Sequence, residues 1–583
     1  MTHLDALWRD LRYAVRVLLK NPVFTLTSVG TLALCIGANT AIYTVVDRVL
    51  LRSLPYPEPE RLVEVATHFN TGEDETGQTG STWEHLRDGV TSLDLAATAR
   101  GFGTTGVNMV AHGQAEYVKQ QRVSAGFFRV FGVAPALGRE FTVEEDRPNG
   151  PAAAILSDDL WRRVFGADSA IVGRALTLRG EPYPIVGVMP ASFRGIAPAD
   201  VWTPVRPWRR GEGGGQNYDI IARLKPGASW AQADAEVAVA GDPVMRDLYQ
   251  DARVTPRLHV VPLQRSITED TRRPLFILWA AVGVVLLIGC VNIAGLFLAR
   301  SVRRAPEIAT RIALGGGRAA IVRQLLAESL VLAAAGGAAG IALGYLGIQA
   351  FASLLAAAFG VTKDIDFDVR VLAVTAAVSL LTSIAFGLFP ALQASRVDLR
   401  TAMGMTTVAG TAHGWPRRVM VLAQVAMGVM LLVGAGLLLR TFDHLMRLRA
   451  GFDATNVMSA TLSLQDARYA TADRINHLFD ATLDRIHAVP GVQTAAVCLT
   501  LPYERALNVG GRWVGARPPD DVVPLLNMTY VTPEYFDALR IPIVRGRVFA
   551  PADNASGAPV IVLNEAFVRR YSPDQDPIGR QLA

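Results

Sequence analysis

Leu275-Phe-Ile-Leu-Trp-Ala-Ala-Val-Gly-Val-Val-Leu-Leu-Ile-Gly-Cys-Val-Asn-Ile-Ala-Gly-Leu-Phe-Leu298 runs without one charged side chain. A helix needs about 20 apolar residues to cross the hydrocarbon core of a bilayer, and this run is long enough. Val23–Val46, Leu330–Ala356, Val371–Ala391 and Val419–Leu439 read in the same way. The expected class is therefore an α-helical membrane protein with five predicted transmembrane helices. Composition agrees: of 583 residues, 50% are hydrophobic and 19% charged.

The formal net charge of +5 is distributed unevenly. Arg300, Arg303, Arg304, Arg311, Arg318 and Arg323 lie between the second and third spans, and Arg396, Arg400, Arg417 and Arg418 between the fourth and fifth. Short cytoplasmic loops carry the excess of Lys and Arg, so both loops are expected inside. The connection after the third span sets Lys363 against Asp364, Asp366 and Asp368 and is expected outside. By parity the N-terminus is cytoplasmic, and the long segments 51–273 and 440–583 lie on the outer side.

Residues 1–22 form a basic leader too long for a secretory signal. Leu4, Leu7, Trp8, Leu11, Val15 and Leu18 share one helical face, with Arg9, Arg12, Arg16 and Lys20 around the other. Such a helix is expected to lie on membrane lipid before feeding the first span at 23–46. Cys35 and Cys290 sit within spans and Cys498 stands apart, which excludes a disulfide framework.

The two outer segments repeat each other. Val123-Ser-Ala-Gly-Phe-Phe-Arg-Val-Phe-Gly-Val-Ala-Pro and the following Gly138-Arg139-Glu-Phe141 return as Val531-Thr-Pro-Glu-Tyr-Phe-Asp-Ala-Leu-Arg-Ile-Pro and Gly546-Arg547-Val-Phe549. Ser157 to Arg163 matches Asn564 to Arg570, and Val172-Gly-Arg174 matches Ile578-Gly-Arg580. Three blocks in constant order point to a tandem duplication of one span plus one outer domain. In the first copy Ala175 onward reads as two strands joined at Arg179-Gly180-Glu181; the second copy stops before its equivalent. An incomplete second domain, from a truncated reading frame, is the expectation.

Each outer domain reads as α+β. Tyr218-Asp-Ile-Ile-Ala-Arg-Leu is a strand candidate, and Ser229 with Gln232 a capping box. In the second copy Ser459-Ala-Thr-Leu-Ser-Leu is strand-like, and Ile475, Leu478, Phe479, Leu483 and Ile486 recur at helical spacing before Pro490-Gly491.

No catalytic signature stands out. The chain lacks a Gly-x-x-x-x-Gly-Lys-Ser/Thr loop, and Gly315-Gly-Gly-Arg318 has neither the spacing nor the lysine. No zinc-type His-Glu-x-x-His or paired Cys-x-x-Cys occurs, and the nine histidines read as surface or core residues. No catalytic, cofactor or metal residue is expected. In the third span Gly336, Gly340 and Gly344 form a small-residue stripe suited to close helix contact. Asn39, Asn292 and Gln393 are the polar residues noted within spans, and Asn39 and Gln393, near the interfaces, read as structural.

Arg303-Arg-Ala-Pro-Glu307-Ile-Ala-Thr-Arg311-Ile-Ala-Leu-Gly315-Gly-Gly-Arg318-Ala-Ala-Ile-Val-Arg323-Gln-Leu-Leu-Ala-Glu328-Ser329 resembles the loop after the second span of FtsX-like permeases. The outer repeat is similar to the MacB-type periplasmic core domain. Leu50 to Val63, with the basic leader, resembles the duplicated permeases related to MacB that are common in acidobacteria. Pro306 departs from the family pattern, as does the single set of following spans. The resemblance makes 275–395 an FtsX-like permease domain with spans two to four, and 419–439 the fifth span.

It further implies a type VII ABC permease of the bacterial inner membrane, working by mechanotransmission. A cytoplasmic ABC ATPase dimer uses ATP in trans, while this chain binds no cofactor. Arg303, Glu307, Arg311, Arg318, Arg323 and Glu328 then form the ATPase-coupling loop. Export of amphiphilic compounds or peptides implies a periplasmic adaptor and an outer-membrane channel. Self-association is a further expected partnership, and no nucleic acid is expected. The alternatives are an FtsX-like signal transmitter controlling a cell-wall hydrolase, and a nonfunctional fragment of a larger permease.

Overall fold

The computed structural model describes residues 3–248 apart from 71, 73, 101–105 and 207–214; 255–304, 310, 318–359, 369–394 and 414–448; and 450–582 apart from 463, 465, 466, 470, 505, 506, 512, 515–524, 551, 555 and 574. In chain order the first elements are α1 (His3–Leu19), α2 (Pro22–Val46), β1 (Leu62–His68), β2 (Asp74–Glu75), β3 (Gly77–Gln78), α3 (Gly80–Gly89), β4 (Leu93–Ala99), β5 (Val107–Ala111), β6 (Gln114–Val118) and β7 (Gln120–Val123). Next come α4 (Phe127–Val130), β8 (Leu137–Gly138), β9 (Ala154–Leu156), α5 (Asp158–Phe165), β10 (Ala175–Leu178), β11 (Glu181–Val188), β12 (Val201–Pro204), β13 (Tyr218–Leu224), α6 (Trp230–Leu248), β14 (Arg257–Pro262) and α7 (Leu263–Arg303). Then follow α8 (Arg318–Phe359), α9 (Val369–Ala394), α10 (Gly414–Arg447), α11 (Ala472–His487), β15 (Leu507–Gly510), β16 (Leu525–Met528), α12 (Tyr535–Ala538) and α13 (Glu565–Tyr571).

The chain divides into two compact units: Met1–Ser53 with Ile267–Arg447, and Leu54–Ser266 with Leu448–Ala583. Among the described residues, Pro22–Leu51, Leu263–Arg300, Ala320–Ala350 and Val421–Arg447 are long and apolar enough to cross a membrane, and Val369–Ile384 is a shorter apolar helix. The helices outrun the expected spans at their polar ends. α7, for example, begins at Leu263 rather than near Leu275, directly after β14.

In the helical unit, α2 is the hub. Phe24 meets Phe297 of α7 edge-on at 5.5 Å between ring centroids, and Asn39 Nδ2 donates to the Val282 carbonyl at 3.1 Å. The Thr40 and Thr375 hydroxyls lie 3.0 Å apart and join α2 to α9. Such side-chain hydrogen bonds satisfy groups that lipid cannot. Helix α10 presents exposed side chains over its apolar length, although Gln424 Nε2 donates to Asn292 Oδ1 of α7 at 2.6 Å.

Helix α1 forms as expected and packs one side against the helical unit. Ala14, Val17 and Leu18 are buried, whereas Trp8 is 60% and Val15 43% exposed. Asp10 lies on the packed side and pairs with Arg323 of α8.

In the first extramembrane segment, strands run in the order β14-β1-β13-β4-β7-β12-β9-β11-β10-β5-β6, with β2 beside β1, β3 beside β13 and β8 beside β11. β12 lies parallel to β7, and β9 to β11, while the other pairs are antiparallel. The expected strand is β13, residue for residue. The expected hairpin is β10–β11, and its turn residues Arg179 and Gly180 both take positive φ, 57° and 78°, the geometry of a two-residue turn that matches strand twist. The core divides into clusters on the sheet, one against α3 and α6 around Trp83, Leu86 and Val237, another around Phe127, Phe128, Phe131, Phe193 and Trp202.

Only half of the expected capping box closes. The Gln232 N–H donates to Ser229 Oγ at 3.2 Å, but the Gln232 side chain donates forward to Glu236 at 2.9 Å. Glu236 is the stronger attractor because it is already fixed by the N–H groups of Thr91 and Ser92 at 2.8 and 2.9 Å.

The second extramembrane segment reproduces local features of the first. Phe128 and Phe141 are 6.3 Å apart, and Phe536 and Phe549 are 6.0 Å apart. Ser157 Oγ caps α5 at the Leu160 N–H, and Asn564 Oδ1 caps α13 at the Phe567 N–H. The helix expected before Pro490 is α11. The strand expected at Ser459–Leu464 is a correction: its described residues carry no strand pairing, and 459–462 are exposed. A strand requires a neighbour to take its backbone hydrogen bonds, and the strands described in this segment pair only as β15–β16.

Candidate functional site

The chemistry of the helical unit concentrates where α7 ends and α8 begins. Glu328 of α8 is fully buried. Arg304 Nη1 donates to its two carboxylate oxygens at 3.0 and 3.4 Å, and Arg300 Nη1 lies 3.4 Å from Oε2. The Arg300 guanidinium also stacks 4.6 Å from the Phe24 ring centroid. A buried carboxylate is tolerated only when paired, because desolvating a lone charge costs several kcal/mol. Two arginines on one carboxylate, with an aromatic face beneath, therefore tie α2, α7 and α8 into one node. Arg323, nearer the start of α8, pairs with Asp10 and adds α1.

A second node lies at the far end of α2. Asp47, with its side chain 1% exposed, is 3.3 Å from Arg370 Nη1 of α9 and 3.9 Å from Arg52. Between the nodes, the glycine stripe of α8 lies against α2. A Cβ on Gly340 would stand 3.1 Å from the Gly37 nitrogen and 3.2 Å from the Ala33 carbonyl oxygen, and one on Gly344 would stand 3.0 Å from the Gly37 oxygen. A Cβ on Gly336 would run into Leu32 at 2.5 Å. Only glycine permits this backbone approach. On the other side of α8, an apolar cleft of about 420 Å³ opens against α9, lined by Leu330, Ala333, Gly337, Ile341, Thr375 and Ser379.

Of the residues expected to couple to an ATPase, Glu328 and Arg323 are engaged within the helical unit. The backbone of Arg303 closes α7 and that of Arg318 opens α8. Glu307 and Arg311 lie outside the described residues. Reading the sequence missed Asp10, Asp47 and Arg370, and it counted Arg300 and Arg304 only as loop charges. A usable signal existed for Asp47: a carboxylate directly after an uncharged span must find a partner.

The family model for the MacB-like periplasmic core domain matches residues 25–240 and 419–583, and that for the FtsX-like permease C-terminal region matches 279–399. The macrolide export ATP-binding/permease protein MacB of Hahella chejuensis is 28% identical over 47% of this chain and 41% of that protein. Its namesake in Burkholderia cenocepacia is 27% identical over 47% of this chain and 40% of that protein. The chain thus spans less than half the length of these relatives. The solved periplasmic region of MacB from Actinobacillus actinomycetemcomitans overlays with TM-score 0.28 and 12% identity, covering 37% of this chain and 94% of that one. The duplicated core-domain match on either side of a permease match covers most of the sequence, and the chain belongs to the MacB/FtsX-like family of ABC transporter permeases.

Proposed function

We propose that this chain is the membrane permease subunit of an export system driven by mechanotransmission, with ATP hydrolysed by a separate cytoplasmic ATPase dimer. Five helices, α2 and α7 to α10, cross the inner membrane; the N-terminus is cytoplasmic, and the two core-domain segments face the periplasm. The observation that carries this reading is continuity. β14 of the core-domain sheet passes without a loop into α7, and α7 ends at the Arg300–Arg304–Glu328 node. Force applied to the segment joining α7 to α8 would enter a paired, rigid node and travel along one helix to the root of the sheet.

The names of the relatives, which pair ATP binding with macrolide export, favour amphiphilic compounds of that kind as substrates. A periplasmic adaptor and an outer-membrane channel would complete the path. Affinity purification of the tagged chain from its native membrane, with partners identified by mass spectrometry, tests the reading. An ABC-type ATPase is expected with the native chain. It should be depleted when Glu307 and Arg311 are charge-reversed together and membrane insertion is unchanged. Equal recovery from both would remove the coupling assignment, and recovery of a cell-wall hydrolase without an ATPase would replace export by signalling.

A further inference from the structure

At one end of the core-domain sheet, strand register gathers three residues that the permease function does not use. His68 closes β1 and faces Asp74 of β2 as a direct cross-strand pair. His259 of β14 faces Ala66, two residues before His68 on the same face of β1. Diagonal neighbours of this kind lie within reach of long side chains. His68 Nδ1 is 2.6 Å from Asp74 Oδ1, and His259 Nε2 is 3.3 Å from the same oxygen. The three ligand atoms lie within 4.8 Å of one another.

A second observation separates this cluster from an ordinary carboxylate–imidazole contact. His259 Nε2 is shielded from solvent and makes no hydrogen bond, despite its distance to Asp74. The pair is close enough for a hydrogen bond but is not aligned to make one. Tetrahedral zinc, with ligand atoms about 2.0–2.2 Å away, separates those atoms by roughly 3.3 Å. The His259–Asp74 separation already has that value, and the His68–Asp74 contact needs only a small side-chain rotation to open.

We infer that His68, Asp74 and His259 form a binding site for a divalent cation of the zinc class. Two imidazoles and one carboxylate supply three ligands, and the half-exposed His68 leaves the fourth position to water. Imidazole-rich donors select zinc-like ions over magnesium or calcium, which prefer oxygen. Nearby positive charge does not oppose the ion: Arg257, beside His68 on β14, is paired with Asp234 at 2.7 Å. The ion would clip edge strand β14 to β1 and β2 immediately before α7, and so stiffen the root of that helix.

The test uses the full chain, purified in detergent on a tag without histidine and freed of metal by chelation. Zn²⁺ is titrated against a fluorescent chelator, and Co²⁺ is added as a spectroscopic probe. One equivalent of Zn²⁺ should bind with micromolar or tighter affinity, Co²⁺ should give the intense visible bands of tetrahedral coordination, and Mg²⁺ should not compete. Losing a ligand should weaken binding at least as much as losing an outer partner does, about 10–100-fold, so H259Q and H68Q should each lose that much with unchanged circular dichroism. If H259Q misfolds, the more exposed H68Q decides alone. Absence of saturable Zn²⁺ binding by the native chain, or binding by folded H68Q equal to native, would overturn the site.

Discussion

Arg139 grips Glu145 with both ends of its guanidinium, Nη1 to Oε2 at 2.9 Å and Nη2 to Oε1 at 2.7 Å, while the Thr142 N–H donates to the same carboxylate at 2.8 Å. The second copy rebuilds this arrangement with Arg547, Asp553 and the Ala550 N–H. Glu is exchanged for Asp, yet the geometry survives. The constraint is therefore a structural clasp that fixes the chain after the glycine at Gly138 and Gly546, both held at positive φ.

Glu145→Gln should weaken the first core domain. Its side chain is 8% exposed, and hydrogen bonds to charged partners contribute about 1.5–3 kcal/mol. A fall of that size in the unfolding free energy is expected in denaturant titration of the full chain followed by tryptophan fluorescence. An unchanged midpoint would reduce the clasp to a surface ion pair. In the second copy, the Arg547 hydrogen bond, reinforced by the Ala550 N–H, lowers Asp553 to about 2. Its contribution should be retained above the usual aspartate range and lost as pH falls toward 2.

Glu64 predicts the opposite slope. It lies buried on β1, and burial, helped by the Asp219 carboxylate, pushes it from 4.5 up to about 7 against the opposing Ser266 hydrogen bond and Arg100 charge. A carboxyl raised on folding is protonated more readily in the native state. Its stabilising effect is full below about 4.5 and is lost as pH rises to about 7. The melting temperature of Glu64→Gln relative to the native chain should therefore rise across that window. A constant difference would show that folding does not raise Glu64.

What could be read from the sequence was what depends on neighbours along the chain. The strand at Tyr218 to Leu224, the turn at Arg179-Gly180 and the helix before Pro490 follow from local pattern and turn chemistry. The stripe of Gly336, Gly340 and Gly344 revealed a contact face but not its partner, because Gly37 lies on another helix. Asp47 finds Arg370 across 323 positions of chain, and no spacing rule reaches that far. The ion pair between Asp10 of α1 and Arg323 of α8 was out of reach for the same reason. Ser459 to Leu464 has strand composition, but composition does not supply a neighbouring strand.

Gly340→Leu should separate α8 from α2. Even a Cβ would press the Gly37 nitrogen at 3.1 Å and the Ala33 oxygen at 3.2 Å, both backbone atoms that cannot rotate away. Overpacking costs about 1–3 kcal/mol in ordinary cores, and backbone contact places this substitution at the upper end. Cross-linking between single cysteines on α2 and on the α2-facing side of α8, with reagents of graded length, would report the change in helix approach. Gly347→Leu is the control, because nothing lies within 4 Å of a Cβ there. Equal effects from both would mean that bulk in α8, rather than contact with α2, is responsible.

Glu328 tests whether the node at the start of α8 is one unit. Glu328→Ala leaves Arg300 and Arg304 facing each other in a desolvated space, and breaking a buried pair from one side costs about 3–5 kcal/mol. Melting of the detergent-solubilised chain should drop sharply in Glu328→Ala. Glu328→Gln should lose less, since an amide oxygen still accepts from Arg304. Removing the charges together, with Arg300→Met and Arg304→Met added to Glu328→Leu, should restore much of the loss because apolar side chains can fill the same space. If the triple variant folds as stably as the native chain yet recovers less ATPase, the node shapes the surface that the ATPase binds rather than merely stabilising the helices. If it recovers as much ATPase, coupling runs through the segment between α7 and α8 without needing these charges.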